Sequence, residues 1–390
     1  MIERRDLPDS VKGQIEGEPR TRSDGDVGVM ARSEGLSFAS PLEKQTSYRY
    51  SSVEDDDGRD AYLRSRSDST VFHLSGWSRA VERAFGAQRR DLIATRDDKI
   101  VGVLPISSCK RPFGRDNWIS APWGVYGGPV SDSSEISRKL VESAMERAGA
   151  AGANRLELRC LEDPKLDGFE ESDLYVTFRK QLPSTEEEVF RTFPRTERKY
   201  LRHAVDRHGL SVEEGHGYRS DLAKLFLSSK RTLGSPGLPD RWWGALEAEM
   251  GLDYVLHAAR RGDEILGVTL TFTHGKEAYM YYIGTTPEAN RECHVTTYLI
   301  AKCMEWSVRQ GLEVFDLGRS RKDAGAYTFK MNQGFEPKPL AYRYGLIAED
   351  SKIPSFTPSN PKTAVLRRTW SKLPLWACDS LSNRVSSFLP

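Results

Sequence analysis

The run Phe315-Asp-Leu-Gly-Arg-Ser320, followed by Gly325-Ala-Tyr-Thr-Phe-Lys330, gathers a carboxylate, a guanidinium, a hydroxyl, a phenol and an amine in one short stretch. Asp316 can serve as a general base or orient Arg319; a carboxylate that merely pairs Arg319 to hold a loop gives the same pattern. Arg319, Ser320 and Lys330 supply donors for a phosphate or carboxylate, arginine being suited to forked contacts with either. Tyr327 offers a hydroxyl to a reacting centre, although Tyr and Phe alternating at 327 and 329 also fit a strand.

Other candidates lie earlier in the chain. In Tyr126-Gly127-Gly128-Pro129 the paired glycines let a backbone approach a ligand closely, or make a tight turn. Arg191, Arg195, Arg198 and Arg202 are spaced four, three and four apart, so they share one helical face. Such a face can meet the phosphates of a nucleotide-sugar or a tRNA, or simply be solvated. Arg231 precedes Leu233-Gly-Ser-Pro236, where a helix gives way to a loop.

Several chemistries drop out. No G-x-S-x-G, Walker loop or Rossmann fingerprint is present, and the histidines lack metal-ligand spacing, so no metal is expected. With 57 basic and 56 acidic residues among 390, the formal charge of +1 gives no global field for gripping nucleic acid or an anionic membrane, so any such contact must be local, and no DNA is expected as a partner. Five scattered cysteines without a C-x-x-C pair suggest neither a disulfide framework nor zinc, and fit a reducing compartment. The chain opens Met1-Ile-Glu-Arg-Arg-Asp6 with no apolar run, and nothing later approaches the roughly 20 apolar residues of a membrane span. The expectation is a cytoplasmic protein.

The elements that must position these residues show an internal repeat. Leu92-Ile-Ala-Thr-Arg-Asp-Asp-Lys-Ile-Val-Gly-Val103 returns as Leu256-His-Ala-Ala-Arg-Arg-Gly-Asp-Glu-Ile-Leu-Gly-Val268, each reading strand, polar turn, strand. Ala144–Leu158 aligns without gaps on Cys303–Leu317, each a helix stopped near a glycine, Gly152 or Gly311, and followed by a strand. Asp316 thereby matches Glu157. Two related α/β lobes are expected over 48–182 and 183–346, after an unstructured tail over 1–47 rich in Arg, Asp, Glu, Ser and Gly. Ser184-Thr-Glu-Glu187 has the form of a capping box opening a helical stretch that Pro194 interrupts. A helical extension over 347–390, split at Pro374, mixes Trp and Leu with Arg and Lys; it can lie on a membrane surface or pack on protein.

The duplicated strand–strand–helix–strand half resembles the GNAT acyltransferase fold. Four segments, in order, are similar to the FemAB-like family, particularly its exosortase- and exopolysaccharide-associated branch. They are Ile100-Val-Gly-Val-Leu-Pro105 with Pro122-Trp-Gly-Val-Tyr-Gly-Gly-Pro129; Arg198-Lys-Tyr-Leu-Arg-His-Ala204; Lys230-Arg-Thr-Leu-Gly-Ser-Pro236; and the run from Phe315 to Lys330 with Gly334. Gln333 stands where that family usually shows Trp.

The resemblance implies two GNAT-like lobes and transfer of an acyl or aminoacyl group to an amine on a cell-envelope glycan, peptidoglycan-type or exopolysaccharide precursor. It implies a donor used as co-substrate, acyl-CoA or aminoacyl-tRNA, with no tightly bound cofactor. The place of the usual pyrophosphate loop, Pro287–Thr296, contains no glycine, which weighs against acetyl-CoA. Asp316, Tyr327 and Lys330 become the catalytic candidates, and Tyr126, Gly127, Gly128, Arg198, Arg202, Arg231, Arg319 and Ser320 the substrate-binding ones. A peripheral place at the inner face of the membrane fits such a substrate, and a non-catalytic carbohydrate- or partner-binding protein on the same double fold is the rival reading.

Overall fold

The structure, a computed structural model, describes residues 45–251, 253–354 and 361–390. The tail expected over 1–47 lies outside the described residues as far as 44; Ser47–Tyr50 is already an edge strand pairing with Leu92–Arg96.

In the first half, the helix α1 (Ser75–Phe85) precedes β1 (Leu92–Arg96), β2 (Lys99–Leu104), β3 (Ile106–Cys109) and β4 (Asn117–Ser120). Ser75 is the first residue of α1 rather than its cap, and Asp60 receives its N–H and hydroxyl at 2.8 Å each. Pro105, which has no N–H to donate, separates β2 from β3, and the two strands enter different sheets. The helix α2 (Ser134–Ala150), capped by Ser133, leads through Gly152 at φ 67° into β5 (Arg155–Cys160), which runs parallel to β4.

The chain then crosses over. β6 (Tyr175–Gln181) pairs in the sheet of the second half. A short helix at Glu186–Val189 follows, whose N-cap is Thr185 with no side-chain cap bond, so the capping box expected from Ser184 does not form. Beyond Pro194 come α3 (Arg195–Asp206), β7 (Leu210–Glu214), α4 (Arg219–Thr232), α5 (Asp240–Met250), β8 (Tyr254–Arg261), β9 (Glu264–His274) and β10 (Glu277–Thr285). β8 and β9 are the repeat of β1 and β2, and β9 runs unbroken because no proline interrupts it. The helices α6 (Pro287–Cys293) and α7 (Val295–Arg309) lead through Gly311, φ 69°, to β11 (Val314–Arg321), and α8 (Gly325–Asn332) packs behind it. β12 (Pro337–Pro339) completes a seven-stranded sheet in the order β7-β8-β9-β10-β11-β6-β12.

The exchange is then returned: β13 (Ala341–Leu346) goes back to the first half and pairs antiparallel with β5. Each half lends the other the strand beside its helix-following strand, and one aromatic core runs through both. Trp77 of α1 meets Trp242 of α5 edge-on at 5.3 Å, and Phe72 lies 6.4 Å from Phe272 of β9. Two further helices close the chain, α9 (Pro361–Trp370) and α10 (Leu375–Val385), separated at Pro374 as a proline demands.

Candidate active site

β10 and β11 run parallel and pair over three residues, Glu277–Val314, Ala278–Phe315 and Tyr279–Asp316, and then part. Past Tyr279 this edge of β10 has no strand partner among the described residues, and a groove of about 780 Å³ opens between Met280–Thr285 on one wall and Leu317, Gly318 and Arg319 on the other. α4 adds Ser229 and Lys230, α8 adds Phe329 and Lys330, the first half adds Trp123 and Val125, and Ser386, Leu389 and Pro390 border the rim.

Three cations, Lys230, Arg319 and Lys330, face this groove, and among the described residues no Asp or Glu side chain lines it. Lys330 donates to the carbonyls of Gly318 at 3.0 Å and Arg319 at 3.1 Å, and burial pushes its ammonium down to about 8. Burial also lowers Lys230, which lies 5.1 Å from the centre of the Phe226 ring. Arg319 is fixed by stacking 4.8 Å from the Tyr175 ring centre and donating to the Tyr342 hydroxyl at 3.1 Å. Trp123 presents a buried Nε1 with no partner, while Tyr281 of β10 donates to its carbonyl at 2.7 Å. An anion in this groove would meet ammonium and guanidinium donors in a partly dry setting, where such contacts are strong.

Asp316 does not line the groove. Fully buried beneath it, Asp316 accepts from the Gly318 N–H at 2.5 Å and from the Tyr126 hydroxyl at 2.7 Å, with Arg179 3.5 Å away. Burial raises its carboxyl from 3.8 to about 6 against the pull of Arg179. Its bond to the Gly318 N–H ties it to the β11 backbone one residue before Arg319, with which it makes no ion pair among the described residues. Glu157 holds the same last-paired place in the first half, where it bonds Arg159 at 2.9 Å.

At the matching place in the first half, chain is packed where the groove would be. β4 and β5 also part after three pairs, but the segment Ala121–Gly128 fills the wedge. Arg159 N donates to Ser120 Oγ at 2.8 Å and Gly127 N to Arg159 O at 2.7 Å. A Cβ on Gly127 would lie 2.5 Å from Ala121 Cβ, and one on Gly128 3.0 Å from Cys160 Sγ. These glycines serve close packing within the first half and do not line the groove.

Tyr126 likewise points away, bonding Thr177 and Asp316. Tyr327 is on α8, not on a strand as its alternation with Phe329 allowed, and its ring packs edge-on against Phe178. Arg191 belongs to a short turn before Pro194, so it is not on the helix that carries Arg195, Arg198 and Arg202. Arg198 and Arg202 stand on α3 outside the groove, Arg202 exposed over the Phe190 ring. Arg231 is beside the groove with a buried, unpartnered Nε, and Ser320 Oγ is buried without a partner.

Of the sequence candidates the structure brings Arg319 and Lys330 to the groove. Lys230 and Trp123 join them unforeseen, although both fall within the quoted motifs. Behind Phe329 a second pocket, of about 410 Å³, is lined by Glu197, Tyr200, His294 and Gln333. Gln333 donates to Glu197 at 3.0 Å there, in the place of the aromatic ring usual in the resembling family. The start of α7 is satisfied from within: Asn290 Oδ1 accepts from Thr296 N at 3.0 Å and Thr296 Oγ1 at 2.7 Å. Among the described residues no cluster of His, Cys, Asp and Glu could hold a metal ion.

Residues 190–331, which carry the groove, match the family described as an acetyltransferase (GNAT) domain. No curated protein matches the chain by sequence. Among solved structures, the crystal structure of FemX superposes with a TM-score of 0.59 at 13% identity, covering 77% of this chain and 97% of FemX. The C-terminal domain of a putative lysylphosphatidylglycerol synthetase from Agrobacterium fabrum gives 0.50 at 16% identity, covering 75% and 92%. A conserved protein of unknown function from Bacteroides thetaiotaomicron gives 0.52 at 10%, covering 77% and 100%. At these identities the likeness is one of fold: the protein has the GNAT fold in duplicate, and FemX shares it over nearly all of its own length.

Proposed function

We propose that this protein transfers an acyl or aminoacyl group from an activated donor to an amine on a cell-envelope glycan or peptide-stem precursor. The observation that carries this reading is the groove where β10 and β11 part, lined by Lys230, Arg319 and Lys330 and, among the described residues, by no Asp or Glu side chain. In the transfer, the acceptor nitrogen attacks the acyl carbonyl. The carbonyl carbon gains a bond to nitrogen and loses its bond to the donor's sulfur or oxygen, and the proton shed by the amine ends on that leaving group.

Arg319 and Lys330 hold the anionic part of donor or acceptor. Asp316 acts through the Gly318 N–H, keeping Arg319 in place. Both acyl-CoA and aminoacyl-tRNA offer the anionic groups this groove suits; the internally capped start of α7 leaves less of the phosphate-binding helix terminus open to CoA. The FemX-like fold supports an envelope precursor as acceptor, and the protein then works at the inner face of the membrane.

Native mass spectrometry of the full chain, titrated with acetyl-CoA, CoA, bulk tRNA and a UDP-linked amino sugar and repeated with Lys330→Ala, tests this. Binding of CoA that is lost in the variant marks an acyl-CoA enzyme. Binding of tRNA and the sugar nucleotide marks an aminoacyl donor. Absence of all of them overturns the proposal in favour of a non-catalytic binding protein.

A further inference from the structure

The last thirty residues are anchored firmly but dressed for another surface. Trp370 and Cys378 are buried against the body, Ser382 Oγ accepts from Gly237 N at 2.9 Å, and Arg241 donates to Asn383 O at 2.9 Å. From this fixed hairpin Trp376 stands 76% exposed and Val365 70%, with Leu366, Leu375 and Leu389 also outside. Leu233, 60% exposed, adjoins them through its carbonyl, which accepts from Arg367 at 3.3 Å. Apolar side chains left out by an otherwise well-packed hairpin point to a further surface.

The charge says which. Residues 361–390 hold five basic residues and one acidic; since the whole chain is at +1, this segment is at +4 and the remaining chain at −3. Arg367, Arg368 and Lys372 are exposed and have no ion-pair partner among the described residues. A second copy meeting the same face about a two-fold axis would set +4 against +4, whereas an anionic bilayer complements both the cations and the Trp and Leu side chains.

We infer that the α9–α10 hairpin, with Leu233 beside it, docks the protein on an anionic lipid surface. Leu233 and Leu389 also border the groove, so docking sets its mouth at the level of the lipid headgroups. That last consequence rests on the transfer reading; the docking itself does not.

Sedimentation of the full chain with vesicles of phosphatidylcholine alone, or of an equimolar mixture with phosphatidylglycerol, tests it without any substrate. The expected result is binding to the mixed vesicles at least tenfold tighter than to phosphatidylcholine, weakening with salt, by an order-of-magnitude estimate from the surface potential. Arg368→Glu with Lys372→Glu should weaken it further, by about fivefold or more for each charge lost. Trp376→Ala should weaken it severalfold, with melting curves of both variants unchanged. Equal binding to both lipids, or binding that survives both variants, overturns the inference. So does a dimer, seen by light scattering, that Trp376→Ala dissolves. Lys330→Ala should sediment like the parent protein, so docking and transfer can fail separately.

Discussion

At Lys330 burial and function pull in opposite directions: burial disfavours the ammonium that anion binding needs. Its ammonium is bonded to two carbonyls, and the buried Asp316 carboxylate acts on it only through space, so a bound anion would add a direct charged partner. Removing it should raise the KM for the anionic co-substrate roughly ten- to a hundredfold, the range for a charged hydrogen bond of about 1.5–3 kcal/mol. Because burial has lowered its pKa to about 8, the cation is complete below that pH and is lost as pH rises through it. KM should therefore climb above about pH 8, and Lys330→Arg, which stays charged, should flatten that rise in steady-state kinetics. At this scale the sequence was legible where chemistry and chain continuity coincide: Arg319 and Lys330 are near neighbours and both reach the groove. Tyr126 and Gly127-Gly128 had the right composition for a site, yet Tyr126 bonds Thr177 and Asp316 beneath the groove and the glycines pack in the first half's wedge. Only the packing of Ala121 and Cys160 against them reveals it. Lys230 opened a quoted motif but was not singled out, since a single lysine near a helix end is ordinary until β10 is laid beside it.

The groove exists because α4 can lie on β10. Gly284 permits this contact: a Cβ there would be 2.5 Å from Phe226 N and 2.8 Å from Leu225 Cβ. Ser229 of the same helix bonds the Thr285 carbonyl at 2.5 Å. Gly284→Ala should cost about 1–3 kcal/mol, as overpacking does, in urea unfolding, and should displace Lys230 from the groove wall. The hairpins and helix–strand units were readable because periodicity and the two stop glycines are local signals. Helix α8 was not, since an aromatic alternation of three residues is too short to separate strand from helix. The parting of β10 from β11 was also hidden, because it depends on what each strand's neighbours allow rather than on its own residues.

The two halves repeat in sequence but are not separable bodies in space. β6 lies on the first side of the boundary expected at 182 and pairs in the second sheet, and β13 does the reverse. A fragment of residues 183–346 would leave β11 without its antiparallel neighbour and would carry β13 with nothing to pair. It should be insoluble or aggregate on expression, whereas the same fragment extended back to 173 should recover soluble material, as centrifugation of lysates would show. Nothing in the repeat foretold the exchange, because a repeat shows which segments are alike and not which copy each strand joins.

The exchange also orders the chain's own manufacture. β5 is complete by residue 160, but its partner β13 is not made until residue 346. The half that leaves the ribosome first is therefore the last to close its sheet. Through the synthesis of nearly all of the second half, a strand edge stays open to chaperones or to misplaced pairing, and no nascent chain shorter than about residue 346 contains both partners of that strand pair.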